Sequence, residues 1–422
     1  MPDWPTRPLS EILVQHEPPP ARFEPSADVD FAGVRWYGEG LFIRETRKGR
    51  DVAGRAYPLK AGTFVYSRLF AWKQSFAVTP DDFDGVMVSN EFLQFGVDPD
   101  LALPEYLVLY LASPLPAAEL LERSDGATAL SRNRLEKDEL LAIEILLPPV
   151  PVQRVIVRTV SAVNGYIRAL DHEASALTEM LRATRQSLIG NAPQVPLTTL
   201  CTIESKTVDP KLDEYADLPH LGVAAIEKGT GRLGEYSTAR DDGVISAKYR
   251  FGPRDVVYAK IRPELRKAAF PGFEGLCSAD AYPLTPKEGI EPELLLEALL
   301  ENSFTNQMTA LSPRLKMPKV NRKQLFTGTV RVPPTPEERD RVVRVLTSIR
   351  AQVAAVVDEV RRIRVARAAL IETMLTGTTQ VLAALQDAYG ADVGVEPVEA
   401  NPDGALRTNI TPPSSASVRG SV

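Results

Sequence analysis

Lysine and arginine, interleaved with aromatic and amide side chains, are the residues whose types and spacing could do chemistry in this chain. Residues 43–73 hold eight Lys and Arg against two acids, 244–270 seven against two, and 312–324 five against none. The first cluster offers Arg44, Arg47, Lys48, Arg50 and Arg55, then Tyr66, Arg68, Trp72, Lys73 and Gln74. The second offers Lys248, Tyr249, Arg250, Tyr258, Lys260, Arg262, Arg266 and Lys267. Arg314, Lys316, Lys319, Arg322 and Lys323 make a third, with Arg132 and Arg134 as earlier counterparts. Such cations neutralise phosphates, while Arg, Asn and Gln carry the donors that read base edges. The chemistry expected is non-covalent binding of a nucleic acid, against the ordinary alternative of three solvated charged faces.

The net charge of −6 opposes a polyanionic partner only until it is divided along the chain. Residues 1–34 carry −4 and 383–422 carry −3, so the span between them stands at +1. Motifs for covalent chemistry fail on context. The string GTGRLG at 229–234 fits G-x-G-x-x-G, but EYSTARDDG follows it rather than an amphipathic helix, so a glycine-rich turn is expected. Glu204 and Lys206 have the E-x-K spacing of some nucleases, with the nearest Pro-Asp pairs a hundred residues or more upstream. His16, His172 and His220 lie far apart, and with Cys201 and Cys277 they form no metal-ligand spacing. There is no Walker string, no G-x-S-x-G, no H-E-x-x-H and no Asn/Asp-Pro-Pro-Tyr/Phe tetrapeptide. No catalytic residue, metal or cofactor is therefore expected of this chain itself.

The elements that must position these cations are written twice. RPLSEIL from Arg7 matches VPLTTLC from Val195, at an offset of 188. AGVRW aligns with LGVAA through Gly33 and Gly222 at 189, and FVYSRLF meets VVYAKIR through Tyr66 and Tyr258 at 192. Pro104 then meets Pro292 at 188, and Pro148-Pro149 meets Pro333-Pro334 at 185. Five anchors in one order at nearly one offset predict two divergent copies of a single unit. Within each copy, GTFVYSRLF, GVMVSNEFLQF, RDVVYAKI and TGTVRVPP read as strands, interrupted by a helix at 104–112 or 292–302.

After each double proline comes a long helix, since proline is tolerated at a first turn and forbids helix before it. Apolar positions run Ile156, Val160, Val163, Ile167, Leu170, Ala174, Leu177, Leu181, Thr184, Leu188. The second series is Val342, Leu346, Ile349, Val353, Val356, Val360, Ile363, Arg367, Leu370, Met374, in register at an offset of 186. Alternating steps of four and three mark a coiled-coil seam, and 36 residues make a rod of ~55 Å. Gly190 and Gly377 sit where helix C-termini favour glycine. A lone rod with an apolar seam is unstable, so the two are expected to pair antiparallel. Separate packing of each helix on its own globule is the alternative.

The expected fold is α+β: two tandem, mostly β recognition globules joined by two long helices. The boundaries read are 1–150 and 195–332 for the globules, 151–190 and 333–377 for the helices, and 378–422 for a disordered tail. The N-terminus has no basic region followed by an apolar run, and no stretch is long and apolar enough to span a membrane. With two cysteines, a reducing cytoplasm is the expected location.

This order of parts resembles the specificity subunit of type I restriction–modification systems. LLPPVPVQRVIV with Gln153-Arg154, and RVPPTPEERDRVV with Glu338-Arg339, are similar to the family's helix starts, although the usual Pro-Leu-Pro-Pro-Leu wording departs here. VSNEF, FGPRDVVYAKIRPELRKAAF and EYLVLYLASP are similar to its target-recognition domains, and the resemblance covers about residues 7–377. It implies that each globule reads half of a bipartite sequence in double-stranded DNA, and that the helices set the spacer. It also implies partners: two S-adenosylmethionine-dependent modification subunits docked on the helices, then restriction and translocase subunits. A DNA-binding subunit of another phage-defence system and a coiled-coil scaffold without DNA remain the alternatives.

Overall fold

The computed structural model describes residues 4–124, 133–203, 206–312 and 318–376. The chain divides into two compact units, one running to Val157 and resuming at Thr373, the other Arg158–Glu372. Among the described residues no helix is long and apolar enough to cross a membrane.

In the first unit, Thr6–Pro8 pairs antiparallel with Glu144–Leu146, closing the start of the repeat onto its end. One sheet runs Leu13–His16, Phe92–Val97, Phe64–Ser67, Phe76–Val78. A second runs Leu41–Lys48, Asp28–Val34, Met87–Ser89, Ala56–Pro58, with Asp28–Val34 and Met87–Ser89 parallel. Phe64–Ser67 is buried at all four residues, which is why it reads as a continuous apolar run rather than an alternation. Phe64, Phe76 and Phe95 gather around Tyr66 with ring centroids about 6 Å apart, the spacing aromatic cores favour.

The second unit repeats this order strand for strand. Gln194–Pro196 pairs with Thr329–Arg331, and one sheet runs Cys201–Thr202, Ala281–Pro286, Val256–Ala259, Ala268–Ala269. The other holds Ser237–Thr238, Pro219–Leu221, Gly275–Cys277 and Lys248–Phe251, with Thr207–Val208 added at its edge. Its parallel contact sets His220 opposite Leu276, as Phe31 stands opposite Met87 in the first unit, 189 residues earlier on both strands. The helix at Pro104–Leu111 corresponds to Pro292–Leu300. A further helix, Asn302–Leu311, was invisible in its polar sequence; the Glu301 carboxylate caps it by accepting from the Ser303 N–H.

The long helices are Val150–Ile189 and Pro336–Leu375, each of 40 residues, offset by 186 at both ends. Thr335 and Glu338 cap the second with reciprocal side-chain bonds to each other's N–H groups. Gln153, fully buried, donates to the Pro148 and Leu101 carbonyls and accepts from the Leu103 N–H. Its counterpart Arg339 donates to the Pro333 carbonyl.

Within the second unit the helices run antiparallel. Asn164 meets Arg367 and Asp171 meets Arg364 at 2.8 Å, so numbers rise along one helix as they fall along the other. Ile167, Leu170 and Val360, with Val163, Val356 and Ile363 beside them, make the helix-on-helix contact. Every described seam residue is buried or half-buried, including Ile156, Val160, Leu177, Val353 and Leu370. The seam has a second job, however. Leu181, Val342, Leu346 and Ile349 pack with Leu294, Leu295 and Phe304 into the core of the second unit. The expected coiled coil is therefore confined to the middle of the rods, and globule packing takes the same apolar stripe beyond it.

Gly190 follows the first helix without a positive φ, so the expected left-handed cap is absent there. Gly377 and the tail 378–422 lie outside the described residues.

The helices and the second unit are locked by one carboxylate. Glu297, 1% exposed, accepts from Arg185 Nε at 2.6 Å and from Arg350 Nη2. Arg350 Nε also donates to the Thr230 carbonyl, fastening the glycine-rich turn 229–234 to the second long helix. Gly231 needs its glycine: φ is +80° and a Cβ would stand 2.9 Å from Arg350 Nε. Burial lowers both guanidiniums to about 10, still protonated at neutral pH. Glu297→Ala removes the carboxylate that both guanidiniums share and should cost about 3–5 kcal/mol in urea unfolding. A loss below 1 kcal/mol would contradict this role.

Candidate nucleic-acid interface

Several residues expected to meet a nucleic acid belong instead to the core. Tyr66 and Tyr258 are 0% and 3% exposed. Tyr66 Oη donates to the Leu135 carbonyl, and burial pushes both phenols up. Neither hydroxyl can reach a duplex. Lys248 is also buried, and its Nζ donates to the Ser246 carbonyl and hydroxyl at 2.7 Å. Lys260 lies over the Tyr282 ring, 4.8 Å from its centroid. Burial lowers the pKa of both lysines.

On the strand Leu41–Lys48, Arg44 and Arg47 both bond Glu45, and the Arg47 guanidinium leads in holding that carboxyl below its usual range. Lys48 pairs with Asp28 at 2.8 Å and Arg50 stands 3.9 Å from Asp51. These are surface pairs, which contribute little stability and yield readily to a stronger anion.

What the fold brings together is an acid–base pair at equivalent positions of both repeats, joined by a second cation in the first unit and by a backbone bond in the second. In the first unit, Glu91 takes Arg134 at 2.7 Å and Arg68 at 3.5 Å, while Arg68 also reaches Glu136 at 2.9 Å. In the second, Asp280 takes Lys319 at 3.2 Å, and its backbone carbonyl accepts the N–H of Lys260. The pairs Arg68 and Lys260, Glu91 and Asp280, Arg134 and Lys319 stand at offsets of 192, 189 and 185, the offsets of the repeat itself. A backbone link joins distant segments each time: Leu135 N–H to the Arg68 carbonyl, and Arg262 N–H to the Pro318 carbonyl. Two basic clusters some sixty residues apart in sequence thus become one patch.

Around the second patch, Arg262 and Arg266 adopt left-handed backbones, each with φ of 49°. Arg266 donates to Asn302, Lys267 to the Val223 carbonyl, Arg322 to the Ile203 carbonyl and Arg250 to Glu274. Arg262 and Lys323 are exposed and make no ion pair among the described residues. Arg132, Arg314, Lys316 and Glu204 lie outside the described residues.

Sequence reading missed Arg35, Trp36 and Tyr37, three successive exposed residues beside Lys73. The available signal was an aromatic pair entering the glycine-bearing turn WYGEG. Among the described residues no group of three or more His, Cys, Asp or Glu could hold a metal ion.

This fold, two copies of one α+β unit with two antiparallel 40-residue helices, is shared with solved structures from type I restriction–modification systems. The S subunit of such a system from M. genitalium superposes with a TM-score of 0.53 at 12% identity, covering 88% of this chain and 96% of that one. A structure of type I R-M complex assembly and conformational transition matches with a TM-score of 0.52 at 19% identity, over 89% and 98% of the two chains. In sequence, the chain is similar to the Type I restriction enzyme EcoDI specificity subunit of Escherichia coli, 35% identical over 173 residues. That match takes in 41% of this chain and 38% of the relative. No family model matches.

The acids in the two constellations restrain their cations. Glu91→Gln and Asp280→Asn should each move elution from a heparin column to higher salt, and Arg134→Ala to lower salt. Unchanged elution of all three would remove these residues from the polyanion-binding surface.

Proposed function

We propose that this chain is the DNA sequence-specificity subunit of a type I restriction–modification complex. Each repeat would read one half of a bipartite target, and the paired helices would set the unread spacer. The observation that supports the reading is the acid–base pair at equivalent positions of both repeats, Glu91–Arg134 and Asp280–Lys319, set on two units whose surrounding side chains differ. A single anion-binding patch would suit any polyanion. Two related but unequal patches in one chain suit a target whose halves differ in sequence. The 173-residue similarity to the EcoDI specificity subunit favours that partner over other polyanions.

On this reading phosphate contacts from Arg262, Lys319 and Lys323 supply affinity, and side chains at base edges supply choice. Chemistry belongs to partners. Two modification subunits dock on the long helices, each binding S-adenosylmethionine and transferring its methyl group to adenine N6. Restriction and translocase subunits join them, and the isolated chain is not an enzyme and methylates nothing.

Selection from a random duplex library by the purified chain should enrich a bipartite sequence with a fixed gap. Enrichment of no sequence would sink the proposal and leave the scaffold alternative. Arg262→Ala with Lys323→Ala should weaken binding to all duplexes alike. It should also reduce the slope of log Kd against log salt by about 2, as expected for two lost phosphate contacts.

A further inference from the structure

We infer that Arg35, Trp36 and Tyr37 form a base-stacking wedge that determines which half-site the first unit accepts, and that the second unit has no counterpart of it. The inference rests on the DNA-reading function proposed above. The strand Asp28–Val34 ends in four buried residues, and then Arg35, Trp36 and Tyr37 emerge together into solvent. Trp36 is 43% and Tyr37 62% exposed, whereas Phe64, Tyr66, Phe76 and Phe95 of the same unit are fully buried. Leaving two adjacent aromatics in water forfeits the burial that such side chains ordinarily obtain.

The loop is held in place, and at a cost in strain. Tyr37 has φ 56° and ψ 33°, a left-handed backbone that a bulky side chain rarely adopts. Gly38 donates its N–H to the Gln74 carbonyl, and Gln74 is itself left-handed with φ 56°. Arg35 N–H closes the loop on the Gly40 carbonyl at 2.8 Å. Lys73 Nζ lies 3.6 Å from the centre of the Trp36 ring, and the Phe70 ring stands 6.0 Å from it, tilted by 48°. Two strained turns are thus pinned to each other, and strain of this kind gathers at functional sites. A rigid aromatic also loses little freedom when a ligand stacks on it.

Behind the wedge lies a hollow of about 510 Å³, lined by Gly33, Arg35, Trp36, Phe42, Arg44 and Phe70 among others. Arg35 covers the Phe42 ring at 4.8 Å, and Gly33 keeps the floor open, since a Cβ there would strike Phe42 at 2.8 Å. Ring faces with cations on them suit bases flanked by phosphates: the rings stack and the cations meet the backbone. An apolar protein partner would instead have to desolvate Arg35, Lys73 and the Arg44–Glu45 pair.

The second unit shows what the same frame does without the wedge. After Gly33 the sequence is Val-Arg-Trp-Tyr; after the equivalent Gly222 it is Val-Ala-Ala-Ile. Ala225 and Ile226 are buried, and Lys267 closes that loop on the Val223 carbonyl. Substituting the wedge should therefore erase one half-site and spare the other.

The test is the random-duplex selection, run on the full chain and on two variants, Trp36→Ala/Tyr37→Ala and Tyr37→Gly. Glycine suits φ 56°, so Tyr37→Gly should hold or raise the melting temperature while removing the side chain. Both variants should enrich the half-site of the second unit as the wild type does. The first half-site should fall at least tenfold in enrichment for the double variant and measurably for Tyr37→Gly. Enrichment of the full bipartite sequence by both variants would overturn the inference while leaving the DNA-reading function standing. That result combined with weakened capture of the modification subunit would reassign the wedge to a protein contact. Enrichment of nothing by the wild type would defeat the function and the wedge together.

Discussion

One buried carboxylate organises the second unit. Glu297 holds Arg185 of the first long helix and Arg350 of the second, and through Arg350 the glycine-rich turn at Thr230. Burying three charges is expensive, and well-packed apolar side chains often stabilise such a site equally well. What charges add is direction. A leucine cluster tolerates sliding by a fraction of a turn, whereas a carboxylate between two guanidiniums is satisfied in one register. The residues at the repeat-equivalent positions are Leu109, Ile371 and Asn164, so the sequence provides no second copy of this lock. The duplicated helices are near-equivalent in their apolar seams. The triad fixes their pairing, because Arg185 and Arg350 share the one buried carboxylate of Glu297.

The double prolines act on the same geometry from the helix ends. Each ends a strand pair that closes its repeat, Glu144–Leu146 on Thr6–Pro8 and Thr329–Arg331 on Gln194–Pro196. Gln153 and Arg339 then fold back to hydrogen-bond the first proline carbonyl of each pair. The first turn of each rod is thereby tied to the last strand of its globule. An amide five residues after the proline serves in one repeat, and a longer guanidinium side chain six residues after it serves in the other. The chemistry at that point differs while the geometry is kept.

How much of this could be read in the sequence follows the range of the forces involved. The seam was legible because helical periodicity is local, and every described seam position is indeed buried or half-buried. Its division between helix pairing and globule packing was not, because Leu181 and Val342 present the same apolar stripe to either neighbour. Glu297 in LLLEALL reads as a solvated helix face; its partners lie 112 and 53 residues away. Arginines and lysines neighbour Tyr66 and Tyr258 in sequence and suggest a surface position, which neither tyrosine occupies. Their strands are covered on both faces, so adjacent residues do not share an environment. Trp36 and Tyr37 were overlooked for the converse reason. Their exposure is decided by docking of their turn on Gln74, a contact no local pattern announces.

The two repeats show where such a frame can change and where it cannot. Strands such as Phe64–Ser67 and Val256–Ala259 are buried at every residue, so substitutions there meet packed atoms on all sides. The turns after Gly33 and Gly222, and those at 68–73 and 262–267, border solvent and carry the differences between the copies. In the first unit Glu91 and Glu136 both engage Arg68, and Trp36 and Tyr37 stand exposed. In the second, Arg262 and Lys323 stand without acidic partners among the described residues, and the turn after Gly222 carries two alanines where the first unit has Arg35 and Trp36. Selectivity that rests on rings in one unit and on cations in the other can diverge in each without disturbing the strands or the helix register. On the function proposed above, the rim of each unit can therefore change separately while its own strands stay packed.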